Sequence, residues 1–155
     1  MVVVTKIDAW LLIADHYQAR LLGCSETPTG RCHITEYSSI ESPIPEIEFG
    51  RPYVLAGITG NSYAANHKRL EEEYRRFAKQ LGRWINTCIS RFQIQELTAF
   101  IPDRSHQDVL AHVRHDYRDR VKLRGENLIR LSQDALHRHH LVTELLHKQN
   151  AIQVA

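Results

Sequence analysis

The chain has 155 residues, of which 43% are hydrophobic and 25% are charged, and its net charge is only +2. These values are typical of a globular protein and exclude a disordered or fibrous chain. The length predicts a single domain over residues 1–155. The longest apolar run, Ala9 to Ala14, is far too short to span a bilayer, and the N-terminus lacks a signal-peptide pattern. We therefore expect a cytoplasmic protein with no membrane partner.

Three strands are predicted in the first third of the chain. Residues 7–14 (IDAWLLIA) are almost continuously apolar, as expected of a strand that is buried on both faces. Residues 17–24 and 31–40 predict two further strands, which together with the first make a meander. Residues 41–63 contain three prolines and three glycines and predict one long loop, a kind of segment that is often functional.

A long amphipathic helix is predicted from Asn66 to Ser90. Its apolar residues recur at three- and four-residue steps, which makes one stripe for packing on the sheet; they are Leu70, Tyr74, Phe77, Leu81, Trp84, Ile85 and Cys88. We interpret the aromatic members of this stripe, together with Trp10, as core residues and not as platforms for base stacking.

The C-terminal half predicts alternating strands and helices. A strand over 94–102 is followed by a helix capped by Ser105, whose stripe is Val109, Leu110, Val113 and Tyr117. Residues 121–131 then predict a strand, centred on 127–131, which precedes a helix capped by Ser132, whose core face is Leu136, His140, Leu141 and Leu145. The predicted order is β-β-β-α-β-α-β-α, an α/β class with a mixed sheet and flanking helices, and this is the order of a ribonuclease H-like fold.

Positive charge is concentrated on the long helix. Residues 64–91 hold seven basic and three acidic residues, whereas residues 1–63 hold four basic and seven acidic ones. A loop tip containing Gly57, Gly60 and Tyr63 leads into this basic helix, an arrangement that suits contact with a polyanion. The candidate nucleic-acid-binding residues are Arg51, Asn61, Lys68, Arg69, Arg75, Arg76 and Lys79. The competing interpretation is an ordinary solvated helix face.

No pattern in the sequence names a reaction. A G-x-S-x-G elbow, a phosphate-binding glycine loop, HExxH and CxxC are all absent. Asp15 follows the first strand, where it would bind a divalent cation if Glu96 and Asp134 converged on it. The alternative is a turn residue that accepts hydrogen bonds from nearby backbone amides. We therefore expect no cofactor, no metal and no enzyme activity.

The segment Ala9–Asp15, followed by Gln18–Leu22, resembles the start of the bacterial host attachment protein family. The run Gly50-Arg51-Pro52 and the middle of the long helix are also similar, and the resemblance covers about residues 7–147. That family is related to the middle domain of archaeo-eukaryotic peptide-chain release factors. The resemblance therefore implies a ribonuclease H-like fold and a release-factor-like protein.

In the release factors, a Gly-Gly-Gln tip precedes the long helix and enters the peptidyl-transferase centre of the ribosome. The matching residues here are Thr59, Gly60 and Asn61, so the first glycine and the glutamine are missing. The resemblance thus implies ribosome or RNA binding without peptide release, with Asn61 at the loop tip contacting a base or the backbone. Two alternatives stay open: a protein-interaction or homo-oligomerisation module, and a metal-dependent hydrolase that uses Asp15.

Overall fold

A computed structural model describes residues 7–27, 32–43 and 61–145, with the backbone alone at 61–67 and at Cys32, Gln133, Asp134 and His137. The strands are β1 (Ala9–Ala14), β2 (Gln18–Glu26), β3 (Cys32–Glu41), β4 (Leu97–Phe100) and β5 (Val121–Arg124). The helices are α1 (Asn61–Phe92), α2 (His106–His112) and α3 (Gln133–Arg138). Short 3₁₀ helices at Asp103–Ser105 and His115–Arg120 flank α2, and residues 140–145 are also helical.

The five strands form one mixed sheet in the order β3-β2-β1-β4-β5. Strand β1 is antiparallel to β2 and parallel to β4, and β4 is parallel to β5. The predicted α/β class, with a mixed sheet and the order β-β-β-α-β-α-β-α, is therefore confirmed in the described residues.

Both faces of the sheet are covered by helices. Strand β1 contributes apolar side chains to both faces, because side chains alternate along a strand. Leu12 packs in a cluster with residues of α1 and α2. Leu11 and Ile13 pack in a second cluster with Leu136 of α3 and Leu141. The nearly continuous apolar sequence of β1 thus follows from its central position. No helix in the described ranges is long and apolar enough to cross a membrane.

Helix α1 begins earlier than its apolar stripe predicts. Asn61 and Tyr63, which were expected in the loop, already have helical backbone. The segment after Gly60 contains no proline or glycine and includes Ala64 and Ala65, which are strong helix formers, so the helix extends back to Asn61. Residues 44–60 of the predicted loop, which include Arg51, Gly57 and Gly60, lie outside the described residues.

The last strand lies within the predicted range 121–131, but its predicted centre was wrong. Strand β5 covers Val121–Arg124, paired with β4, and not residues 127–131. Leu128 and Ile129 are buried, but they pack with α3 as irregular chain. Both segments are apolar enough for a strand, and they are separated by Gly125; the register with β4 decides between them.

For the two helices of the C-terminal half, one predicted cap is confirmed and two other predictions are wrong. The hydroxyl of Ser132 accepts a hydrogen bond from the Ala135 N–H at 3.2 Å, so its role as a cap is confirmed. Ser105 makes no side-chain capping bond, and α2 ends at His112 because Val113 is extended. His140 is exposed, contrary to its predicted core position, because the backbone of His139 is extended and interrupts the helix before it.

Candidate nucleic-acid interface

Helix α1 presents one face to the sheet and the opposite face to solvent. Phe77, Leu81 and Ile85 are at most 2% exposed and pack in the cluster that covers the sheet. Four basic side chains are exposed at successive steps of seven, four and four residues, so they lie along one side of the helix. We call this set the basic row; it consists of Lys68, Arg75, Lys79 and Arg83. At about 1.5 Å per residue it extends over roughly 22 Å.

The charges of the basic row are directed at solvent. Among the residues that the structure describes, no ion pair involves any of the four. Glu72 is exposed on the same side of the helix, which reduces the net charge of this face. A surface of separated, hydrated cations adds little to the stability of the fold, but it supplies a field that attracts a polyanion.

Two of the predicted contact residues are not part of the basic row. Nη1 of Arg76 is 3.2 Å from Oε1 of Glu73, whose side chain is only 11% exposed. Arg76 therefore neutralises a carboxylate at the edge of the core. Arg69 is exposed, but it is rotated by about 100° from Lys68 around the helix axis. The ion pair with Glu73 thus distinguishes Arg76 from Arg75, although the two are adjacent in the sequence.

The structure brings together Lys68, Arg75 and Lys79 from the predicted set and adds Arg83. The step of four residues from Lys79 to Arg83 was a signal available in the sequence. For Asn61 the structure gives only the backbone, in the first turn of α1, so the predicted contact of its side chain with a base or phosphate stays a prediction.

A second group of cationic side chains lies beside the end of the basic row. The side chain of Asn86, three residues after Arg83, donates from Nδ2 to the His112 carbonyl at 2.9 Å and accepts the Arg114 N–H at 2.7 Å. These bonds place Arg114 next to α1. Its guanidinium carbon lies 4.6 Å from the centre of the Tyr117 ring, and that of Arg120 lies 5.1 Å from the same centre.

We call Arg114, Tyr117 and Arg120 the arginine–tyrosine cluster. The sequence prediction missed it, because Tyr117 was assigned to the stripe of a helix. The signal was the spacing of three residues, since a 3₁₀ helix has about three residues per turn and aligns such positions. The structure has a 3₁₀ helix over His115–Arg120, directly after Arg114.

Asp15 is a turn residue. Its Oδ1 accepts the N–H groups of Tyr17 and Gln18 at 2.7 and 2.8 Å, which confirms that interpretation. The convergence with Glu96 that a cation site at Asp15 would require does not occur: in the parallel register of β1 and β4, Trp10 pairs with Leu97, so Glu96 and Asp15 lie on the order of 20 Å apart along the strands. Within the described ranges, no three His, Cys, Asp or Glu side chains are grouped to hold a metal ion.

An aromatic contact joins the turn after β1 to α1. The His16 ring stacks on Tyr74 with centroids 4.1 Å apart, and the Tyr17 and Tyr74 hydroxyls are 3.3 Å apart. Arg104 lies over the Tyr74 ring at 5.3 Å. Burial, and then the charge of Arg104, lower the pKa of His16, while the charge of Asp15 opposes them. This imidazole is therefore suited to packing in its neutral form.

In comparisons with known proteins, no family model and no curated protein matches this chain. The resemblance to the host attachment family thus stays a prediction from short motifs. The exposed side chains of α1 and the residues beside its C-terminal half are therefore the features of the structure that bear on function.

Proposed function

We propose that this chain is a non-enzymatic, release-factor-like domain of ribonuclease H-like fold that binds RNA, free or within the ribosome. The basic row on α1 is the observation that carries the proposal. The five-stranded mixed sheet and the order β-β-β-α-β-α-β-α support the fold, which is the one that the family resemblance implies. The tip sequence Thr59-Gly60-Asn61 lacks the glutamine of the release factors, so the proposal does not include peptide release.

The basic row has the arrangement that contact with phosphates requires. Lys68, Arg75, Lys79 and Arg83 are exposed and are carried by one helix, so their spacing is fixed before the partner arrives. Because the row is not used in ion pairs within the described residues, binding RNA does not require breaking internal contacts there. Each phosphate contact releases condensed counterions, and this release favours binding at low salt.

The proposal predicts a steep dependence on salt. If all four side chains contact phosphates of a single strand, the affinity falls by about 50-fold between roughly 50 and 200 mM salt. The measurement is fluorescence anisotropy with a labelled RNA over this range, together with co-sedimentation of the protein with ribosomes and their subunits. Salt-independent binding would contradict the proposal.

Charge reversal locates the contact. Arg75→Glu and Lys79→Glu each replace an attraction with a repulsion and are expected to weaken RNA binding at least tenfold at low salt. The matched control is Arg138→Glu, which makes the same change at an exposed position of α3, on the opposite face of the sheet. Equal losses in all three variants would indicate a response to net charge alone and would remove the basic row as the site.

A failure of every RNA sample and of ribosomes to bind at low salt would remove the proposal as a whole. Sedimentation equilibrium on the same protein then tests the alternative from the sequence, an interaction or oligomerisation module. A stable dimer would favour that alternative.

A further inference from the structure

We infer that the bound nucleic acid is single-stranded and that one of its bases stacks on the arginine–tyrosine cluster beside the basic row. This inference rests on the proposed function, because the basic row supplies the phosphate contacts that bring the strand to the cluster. It adds a base contact that the row itself does not provide. The observations that carry it are the geometry, the exposure and the charge balance of Arg114, Tyr117 and Arg120.

The cluster offers planar cations on a fixed support. The Tyr117 ring is partly buried against the core cluster beneath α1, and the two guanidinium groups lie 4.6 and 5.1 Å from its centre. The Arg114 side chain is 58% exposed, so its guanidinium remains accessible while it contacts the ring. Guanidinium planes and aromatic rings are the surfaces on which proteins stack unpaired bases.

The arginine side chains are held in place before any ligand binds. Nε and Nη2 of Arg114 donate to the two carboxylate oxygens of Asp116 at 3.1 and 2.9 Å. Nη1 of Arg120 donates to the Ile94 carbonyl at 3.4 Å. The backbone of Arg114 is in turn held by Asn86. Such preorganisation lowers the entropy lost when a base binds.

The arginine–tyrosine cluster differs from the basic row in its charge balance. Asp116 neutralises the charge of Arg114, so this guanidinium contributes little to phosphate attraction and is suited to stacking. A stacked base requires a face that is not covered by its neighbours, which a duplex does not present and a single strand does. The basic row alone would bind single-stranded and duplex RNA equally, whereas the cluster favours the single strand.

The test compares a single-stranded RNA with the duplex of the same sequence, in wild type and in two variants that keep every charge. Arg114→Lys keeps the positive charge but loses the planar group that stacks. Arg138→Lys makes the same change at an exposed position of α3, on the opposite face of the sheet from the basic row and the cluster. We expect wild type to bind the single strand at least fivefold more tightly, in line with the value of one stacked base.

Arg114→Lys is expected to remove this preference, leaving duplex affinity and the salt dependence unchanged, while Arg138→Lys binds as wild type does. Circular dichroism of each variant checks that the fold is retained. Equal, salt-dependent binding of single strand and duplex by wild type would overturn the inference and leave the proposed function standing. Identical behaviour of the two lysine variants would also overturn it. Absence of binding to either RNA would overturn both.

Discussion

Asn86 and His112 are joined by a hydrogen bond from the side-chain amide to the backbone carbonyl, with 2.9 Å between Nδ2 and O. The other end of the same amide accepts the N–H of Arg114. Helix α2 ends at His112 and Val113 is extended, so the carbonyl at this end has no partner further along the helix. One side chain of α1 therefore fixes where α2 ends and where the arginine–tyrosine cluster begins.

Replacing Asn86 with Ala removes the partner of the His112 carbonyl and of the Arg114 N–H. Since the site is partly open to water, we expect a loss of about 1 kcal/mol in the free energy of unfolding, at the lower end of the range for an unpaired polar group. Urea denaturation measures it. The control is the replacement of Thr87 with Ala, because the Thr87 hydroxyl donates to the Arg83 carbonyl within the same helix. Equal stability of the two variants would show that the Asn86 amide does not hold α2.

The close contact between α1 and α2 depends on Gly82. A Cβ at this position would lie 2.4 Å from the Val109 carbonyl oxygen and 2.8 Å from the His112 Cβ. Although Ala is favoured over Gly by about 1 kcal/mol within a helix, we expect Gly82→Ala to destabilise the protein by about 1–3 kcal/mol, because α2 must move.

Ser90→Ala is the control for this substitution, since Ser90 lies on the same helix and is exposed. It is expected to be neutral or slightly stabilising, because only helix propensity changes there. Thermal unfolding of both variants measures the difference. A Gly82→Ala protein as stable as wild type would mean that α2 does not pack this closely on α1.

The elements marked by a regular apolar pattern were predictable from the sequence. Elements whose position depends on pairing with another strand were not. The apolar run 7–14 predicted β1 because a central strand buries both of its faces. The choice between 121–124 and 127–131 depended on the register with β4, which links positions more than twenty residues apart in the chain. Local propensity carries no information about that register.

The same distinction holds for the candidate interface. Lys68, Arg75 and Lys79 were predictable as one surface because helical spacing alone places them together. The different environments of Arg75 and Arg76 were not, since they depend on the depth at which Glu73 is buried. The arginine–tyrosine cluster was missed because the 3₁₀ conformation of 115–120 and the bonds of Asn86 arise from packing between elements.

Because Arg75 and Arg76 lie in different environments, neutralising each of them is expected to affect a different property of the protein. Arg76→Gln leaves the largely buried carboxylate of Glu73 without its cation and is expected to lower stability by about 1 kcal/mol, since Arg76 itself is exposed. Arg75→Gln is expected to change stability by less than about 0.5 kcal/mol but to weaken RNA binding. Urea denaturation and anisotropy on both proteins measure the two effects.

A double-mutant cycle with Glu73→Gln isolates the pair. If the ion pair is the cause, Arg76→Gln costs less in the Glu73→Gln background than in wild type. The same cost in both backgrounds would assign the loss of stability to packing of the Arg76 side chain. Equal effects of Arg75→Gln and Arg76→Gln on RNA binding would mean that the ion pair with Glu73 does not distinguish Arg76 from the basic row.

The stacked pair of His16 and Tyr74 predicts a dependence of stability on pH. Burial and Arg104 lower the pKa of His16 in the folded protein, whereas the unfolded chain has the ordinary value of about 6.5. The unfolded state therefore binds the proton more readily. The stability from neutral His16 is fully present above about pH 6.5 and declines as the pH falls through the lowered pKa.

His16→Phe tests this linkage, because phenylalanine keeps a ring against Tyr74 and does not titrate. The Nδ1 atom of His16 is buried with no hydrogen-bond partner in the described part of the chain, so the substitution removes no bond from that atom. Urea midpoints between about pH 7.5 and 5.5, above the range where most carboxylates titrate, should fall less steeply for His16→Phe than for wild type. The wild-type protein, measured over the same pH range, supplies the reference slope. If His16→Phe kept the wild-type slope, the loss of stability at low pH would come from other groups, and not from protonation of the imidazole that packs on Tyr74 of α1.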